Sequence, residues 1–374
     1  STTGNVITGA TSSTYTPPVS SNGTVYYYCI INQPTLNSGC QNNSVPAAII
    51  VTASPTVNTQ PIATQTACIG GTLNSLSFTY TGGNSTPTYQ WYSNSVNSTV
   101  GSTPIGGANA ATYLPLSNLA GTNYYYCVIT FTGIACSTIN TSIVSVLIQP
   151  DPSITVQPIS SQAVCSGTTI SIPLSINYTG GFGTPSYQWN TVSGSNNTAI
   201  SGATTATYTP PTFTQAGTYN FSLSITLSGN GCNAMTSANA QIIVSPVPTV
   251  NAVSSVTYCN ADVTPVIPFS GTVTGSSFIW QNSNANIGLA SSGSGNLPSF
   301  VAANTSPAAI VGTVTVTPQL ITLGTTCSGT NGTFTITINP YQNVNDPQDL
   351  VLCHGTGVNG VQFSGTSAIN NCSN

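Results

Sequence analysis

There is no lysine and no arginine in this chain of 374 residues, and its acidic complement is four aspartates, Asp151, Asp262, Asp346 and Asp349. At 1% charged residues it lies far from the roughly one quarter typical of globular proteins. Binding to a nucleic-acid backbone needs a basic footprint that releases counterions, and there is none, which excludes DNA and RNA as partners. Anionic membrane surfaces are excluded on the same ground. No run approaches the roughly 18 apolar residues of a membrane helix, so direct membrane insertion is not expected, and no signal-peptide pattern opens the chain. Chemistry is equally poorly supplied. His354 is the single histidine, and beside Cys353 it reads as a loop residue rather than the base of a nucleophile. Calcium needs several oxygen ligands, usually acidic, and Asp151 stands alone while Asp346 and Asp349 sit close together. No catalytic residue, metal ligand set or cofactor site is assigned, and the chain is read as a non-enzyme.

What is present is Thr, Ser, Asn and Gln for a neutral hydrated surface, with Tyr, Val and Ile for cores. Eleven cysteines recur without Cys-x-x-Cys pairs, which points to an oxidising extracellular compartment and not to zinc. One series is Cys40, Cys136, Cys232 and Cys327, with steps of 96, 96 and 95 residues. A second is Cys68, Cys165, Cys259 and Cys353, with steps of 97, 94 and 94. Trp91, Trp189 and Trp280 keep the same period. So does Ile-x-Gly-Ala-x-x-x-Thr-Tyr, at 7–15, 105–113 and 200–208. Three independent markers on one period make a tandem array. Aromatic and β-branched residues recurring in register argue against disorder.

Short β-rich runs broken by Gly, Asn, Ser and Pro predict an all-β chain of antiparallel sandwiches. The expected divisions are a partial repeat at 1–53, complete repeats at 54–150, 151–246 and 247–340, and a partial repeat at 341–374. Both ends then cut through a domain, as in a segment of a longer protein. Proline-marked joints at Pro55, Pro150, Pro152, Pro246, Pro248 and Pro340 predict an extended, semi-rigid rod.

By analogy with immunoglobulin-like sandwiches, Trp91 and its equivalents lie on strand C and fill the core, and Tyr125 takes the tyrosine-corner position of strand F. Cys68 closes the first strand, and Cys136 lies past the turn between strands F and G. Cys29 and Cys127 share a position on strand F, where Leu223 stands one repeat later. With no cysteine on the facing strand, both are expected as buried free thiols. In the tyrosine runs at 26–28 and 124–126, alternation puts Tyr125 inside and Tyr124 and Tyr126 outside. The outward rings have two readings, as glycan platforms or as cross-strand aromatic pairs.

The motifs Gln60-Pro61, Cys68-x-Gly70, Thr88-Tyr-Gln-Trp91 and Tyr124-Tyr-Tyr126 return in part as Gln157-Pro158, Cys165-Ser-Gly167 and Ser186-Tyr-Gln-Trp189. In these residues the chain resembles the bacterial immunoglobulin-like repeats of Bacteroidetes surface proteins. Residues 247–340 resemble the PKD-like repeats of the same proteins, through Cys259-Asn260, Phe269-Ser-Gly-Thr272 and Phe278-Ile-Trp280. The resemblance implies part of a large adhesin exported by the type IX route, of the kind used in gliding motility. It places the chain outside the cell at the cell surface. Its implied partners are neighbouring repeats of the same longer chain, with glycans or cell-surface components as further candidates. Three functions fit: a structural stalk, a row of glycan-binding modules, and a subunit of a self-assembling filament joined through sheet edges.

Two disulfide patterns compete. Pairing within repeats joins Cys68 to Cys136, Cys165 to Cys232 and Cys259 to Cys327. In an immunoglobulin-like strand order those partners sit at opposite poles, roughly 20 Å or more apart, whereas a disulfide spans Cα atoms about 4.4 to 6.8 Å apart. Pairing between repeats joins Cys68 to Cys232 and Cys165 to Cys327, and leaves Cys259 without a partner within this chain. Cys40 and Cys353 find partners outside the segment in either pattern.

With one histidine and no other side chain that normally titrates near neutrality, stability is predicted to be nearly flat from pH 5 to 8 and insensitive to salt. Thermal melts across that window at low and high salt test this. A change of many degrees would contradict it.

Overall fold

The computed structural model describes residues 4–33, 40–83, 85–132, 138–340, 344–355, 357 and 360–365. Among them the chain is all-β apart from a single-turn 3-10 helix at Ala285–Ile287. It divides into two compact units. The first comprises Ser1–Ser153 with Tyr178–Ser186 and Thr226–Met235, and the second comprises Ile154–Asn177, Tyr187–Ile225 and Thr236–Asn374.

In the first unit, β1 (Gly23–Tyr27) pairs antiparallel with β4 (Ala47–Val51), and between them β2 (Ile30–Gln33) pairs with β3 (Cys40–Asn43). The next repeat forms a two-layer sandwich from β5 (Thr64–Cys68), β6 (Leu76–Ser77), β7 (Thr88–Asn94), β8 (Thr112–Tyr113), β9 (Gly121–Thr130) and β10 (Val144–Gln149). In the larger sheet β9 lies between β7 and β10, and β5 closes the edge parallel to β10, with Cys68 opposite Gln149. The facing layer holds the β6–β8 pair and the pair Thr56–Thr59 with Thr79–Thr81.

Alternation explains which side chains meet. On β9, Tyr125, Cys127 and Ile129 point inward and are buried, as are Val144, Val146 and Ile148 on β10. Leu76 and Phe78 close over them from the other layer, around a fully buried Trp91. The Trp91 indole N–H donates to the Ala110 carbonyl at 2.9 Å, so the one polar atom of the largest core side chain is satisfied.

The following repeat, most of which lies in the second unit, has the same plan. β11 (Ser161–Cys165), β12 (Leu174–Ser175), β13 (Pro185–Ser193), β14 (Thr207–Tyr208), β15 (Gly217–Leu227) and β16 (Ala240–Ser245) surround a fully buried Trp189. Its indole donates to Thr205 O at 3.0 Å. β17 (Val256–Cys259), β18 (Ser277–Asn282), β19 (Ile310–Thr322), β20 (Thr325–Ser328) and β21 (Gly332–Asn339) belong to the one main sheet of the following repeat, whose core holds Trp280. There the indole N–H is buried without a hydrogen-bond partner. Its ring instead lies over Gly293, where any Cβ would run into the indole.

Two expectations about cysteine are separated by this packing. Cys127 is a buried free thiol, enclosed between two layers. Cys29 is a free thiol but exposed, because no second layer carrying counterparts of Leu76 and Phe78 covers β1 and β4 among the described residues.

Burial pushes the Cys127 thiol up to about 11 and the Tyr125 phenol up to about 12. A group whose folded pKa is raised favours folding below its unfolded pKa and loses that contribution as pH climbs through the folded value. Stability is therefore predicted to decline from about pH 9 upward, through the range where Cys127 and then Tyr125 ionise. Denaturant melts of wild type and Cys127→Ala between pH 8 and 11 test this, with a shallower decline expected for the variant.

Candidate functional site: the disulfide junctions

Cys68 and Cys232 form a disulfide with Cα atoms 4.9 Å apart, and Cys165 and Cys327 form a second at 5.5 Å. Both join the end of a repeat's first edge strand to the segment that connects the last two long strands of the next repeat, after β15 for Cys232 and in β20 for Cys327. Cys327 is therefore not bonded to Cys259. Cys259 is itself disulfide-bonded, so the expectation that it lacks a partner within this chain does not hold. Its sulfur has been taken by a cysteine other than Cys327. Cys136 lies outside the described residues, Cys40 opens β3, and Cys353 lies in an exposed stretch.

The first junction, within the first unit, is built from backbone. β5 runs parallel to β10, which carries Cys68 to the end of the sheet, where the chain turns through Gly70 and Gly71. The segment Gly229-Asn-Gly-Cys232 lies against that turn. The Cys68 N–H donates to Asn230 O at 2.8 Å, and the Asn230 side-chain amide donates to the Thr72 carbonyl. One asparagine thus satisfies two backbone groups of the turn it meets. Gly231 has φ +75, and a Cβ there would overlap the Gly71 Cα. A Cβ on Gly71 would in turn come within 2.7 Å of Asn230 O. The two backbones approach this closely because both positions lack side chains.

On the far side, Asn233 donates to Asp151 Oδ2 at 2.8 Å, tying the turn to its own linker. The other Asp151 oxygen is buried without a hydrogen-bond partner. Among the described residues no group of three histidine, cysteine or acidic side chains is placed to hold a metal. Asp262 accepts from the Cys259 N–H at 2.7 Å, while Asp346, Asp349 and His354 are exposed.

The second junction, within the second unit, reaches the same result with hydroxyls. β19 and β20 form a hairpin whose turn, Leu323-Gly324, has φ +47 and +80, the positive pair that a two-residue turn favours. Thr325 donates its hydroxyl to Ala163 O at 3.2 Å, and Ser245 donates to Thr322 Oγ1 at 2.7 Å. Ser245 is nearly fully buried and lies opposite Cys165 in the ladder. Cys327 is buried, and Cys68 is too. In the chain-entropy model, closing a loop of 164 or 162 residues contributes about 5 kcal/mol. A neutral surface has no ion pairs with which to supply a comparable joint.

The aromatic candidates divide. Tyr125 is buried, and so is Tyr126, which alternation had placed on the outer face. Tyr126 lies directly opposite Tyr92 in the ladder and stacks on it with ring centroids 5.3 Å apart. Its hydroxyl meets Ser102 Oγ at 2.7 Å. The outward ring is covered by its cross-strand neighbour rather than offered to a sugar. Tyr26 is well exposed.

Asn230, Gly71, Gly231, Ser245, Thr322 and Thr325 were not singled out from sequence. Gly-Asn-Gly directly before Cys232 was the available signal, but the next repeat has Gly-Thr-Thr before Cys327, so no periodic motif marks the junction.

Residues 57–150 and 155–246 each match the family model described as Domain of unknown function (DUF8696). The comparison with curated proteins finds no match. Among solved structures the chain is similar to Sidekick-1 immunoglobulin domains 1–5, at 13% identity over 87% of this chain and 68% of that one, with a TM-score of 0.37. It is similar to the I67–I69 fragment of titin at 13% identity, 77% and 98% coverage and a TM-score of 0.38. It is also similar to extracellular domains 3–5 of Drosophila OTK, at 15% identity, 76% and 97% coverage and 0.32. No helix among the described residues is long and apolar enough to cross a membrane, which leaves strand-built spans unaddressed.

Peptide mapping without reduction, by pepsin because trypsin has no lysine or arginine to cut after, is expected to recover Cys68 linked to Cys232 and Cys165 linked to Cys327. A recovered Cys259–Cys327 pair would overturn the junction geometry.

Proposed function

We propose that the chain is a non-catalytic stalk segment of a large secreted cell-surface adhesin. In this role it holds a binding region away from the cell. The observation that carries the reading is the pair of disulfides that tie each first strand to the following repeat. Disulfides belong to oxidising, extracytoplasmic compartments, and a tether gains from covalent joints where a soluble binding module has no need of them. The proline-marked linkers support restricted bending. The absence of lysine, arginine and glutamate removes most means of activating a nucleophile, in keeping with a structural role.

The finer assignment rests on the sequence resemblance to Bacteroidetes immunoglobulin-like and PKD-like repeats. On that basis we assign the parent protein to the type IX-exported adhesins of gliding cells, with neighbouring repeats as its immediate partners. The glycan-module reading is the weaker one, since Tyr126 is stacked under Tyr92 and the following repeat has Tyr219-Asn-Phe221 in place of the triplet.

Small-angle X-ray scattering tests the stalk. An extended array gives a pair-distance distribution with a long tail, at about 40 Å per repeat if 10 to 12 strand residues span one sandwich. A curve that fits a compact globule would remove the proposal.

A further inference from the structure

Asn230 and Gly231 form an Asn-Gly pair, the dipeptide in which asparagine most readily loses its amide nitrogen. The backbone nitrogen of the glycine attacks the side-chain Cγ, the Cγ–N bond breaks and ammonia leaves, giving a cyclic succinimide. Water then opens the ring at one of its two carbonyls, which leaves aspartate or isoaspartate and one new carboxylate. Neither an oxidant nor a metal is needed. Glycine permits the attack because no side chain shields its nitrogen.

The first junction keeps the reacting groups apart. The Asn230 side-chain amide donates to the Thr72 carbonyl, and the Asn230 backbone carbonyl accepts from the Cys68 N–H at 2.8 Å. Gly231, with φ +75, lies back to back with Gly71. To bring Cγ onto the Gly231 nitrogen, the amide has to leave Thr72 and the turn has to shift off Gly71. The Cys68–Cys232 bridge, one residue further on, pins the turn against that movement. Asn230 is otherwise exposed, so water is at hand once the side chain swings out.

Neither product fits back. An aspartate at 230 has no N–H to give Thr72 and sets acceptor against acceptor. It is a carboxylate at neutral pH, in a chain with no lysine or arginine to pair it. Isoaspartate routes the main chain through the former side chain, adding one carbon where the two glycine backbones touch. It also turns the carbonyl that accepted from Cys68 into the free carboxylate.

We propose that Asn230 is a latent deamidation site, guarded by the closed junction and released when the Cys68–Cys232 bridge is lost, so that a lasting opening is made permanent by covalent change. The second junction has Gly324-Thr-Thr before Cys327 and holds itself with hydroxyls, which do not age in this way. The two junctions therefore differ in whether opening can be reversed.

The full chain is incubated in mildly alkaline buffer, sampled into acid, reduced and mapped by pepsin and mass spectrometry, reading the gain of one mass unit at Asn230. The same chain reduced and held in denaturant gives the unguarded rate. Native Asn230 is expected to react roughly tenfold or more below that rate, because two hydrogen bonds must open first. In Cys68→Ser with Cys232→Ser the rate at Asn230 rises toward the unguarded value. Asn331-Gly332, where Asn331 Oδ1 accepts from the Thr317 hydroxyl at 2.8 Å and Gly332 is paired in β21, stays slow. Should the serine variant unfold throughout, Asn331 reacts as well, and Gly71→Ala decides. That change keeps both cysteines, sets a Cβ within 2.7 Å of Asn230 O, and is expected to speed Asn230 several-fold. Asn230→Asp supplies the product directly, and a thiol reductant is expected to cleave its Cys68–Cys232 bridge several-fold faster than the native one. The proposal fails if native Asn230 reacts as fast as in denaturant, or if Gly71→Ala leaves it as slow as native. It also fails if the bridge of Asn230→Asp is reduced no faster. None of these readouts depends on the stalk, so a compact scattering curve would leave them standing.

Discussion

A protein without lysine, arginine or glutamate has to join its repeats without ion pairs, and that constraint shapes both junctions. Pole-to-pole contacts between small sandwiches bury little area, and charged domains often supplement it with salt bridges and hydrogen bonds to charged groups. Here the supplement is neutral: an asparagine satisfying a turn, two glycines placed back to back, and paired hydroxyls. Each such bond contributes roughly 0.5–1.5 kcal/mol net. Around them sits the covalent bond, which does not weaken with salt or with pH near neutrality. The interactions are local and modest, and the sulfur bridge makes their loss survivable.

The sandwiches themselves follow from period-two patterning. On β9 and β15 the inward positions are Tyr125, Cys127 and Ile129, and Phe221, Leu223 and Ile225, with Trp91 and Trp189 across the sheet. Exchange of cysteine for leucine at one inward position shows that this site asks for an apolar group of moderate size rather than for sulfur chemistry. The third tryptophan departs from the pattern. Its indole N–H has no partner, and Gly293 makes room beneath its ring. The repeat that holds it thus reaches a closed core by a different local solution.

Tyr126 shows where one-dimensional reasoning stops. Alternation on a strand correctly separates it from Tyr125, but facing outward is not the same as being exposed. Whether an outward ring meets solvent depends on the residue opposite it on the neighbouring strand, and register between β7 and β9 places Tyr92 there. Cys29 fails for the complementary reason: an inward position is buried only where a second layer exists to cover it.

The sequence by itself determined the all-β class, the tandem period, the core tryptophans and the oxidising compartment, because those rest on composition and on residues recurring at fixed spacing. It also limited the disulfides to two periodic patterns without choosing between them, since any periodic array yields regular separations for either. Only the tertiary structure decided the pairing, and the reason is distance. Parallel pairing of β5 with β10 carries Cys68 to one end of its sandwich, where the Gly229–Cys232 segment of the next repeat arrives. The close approach there depends on Gly71 and Gly231, which no repeat motif announces. Contacts between repeats are made by loops, and loops need only meet their partner's surface, so they keep no period that a sequence alone can reveal.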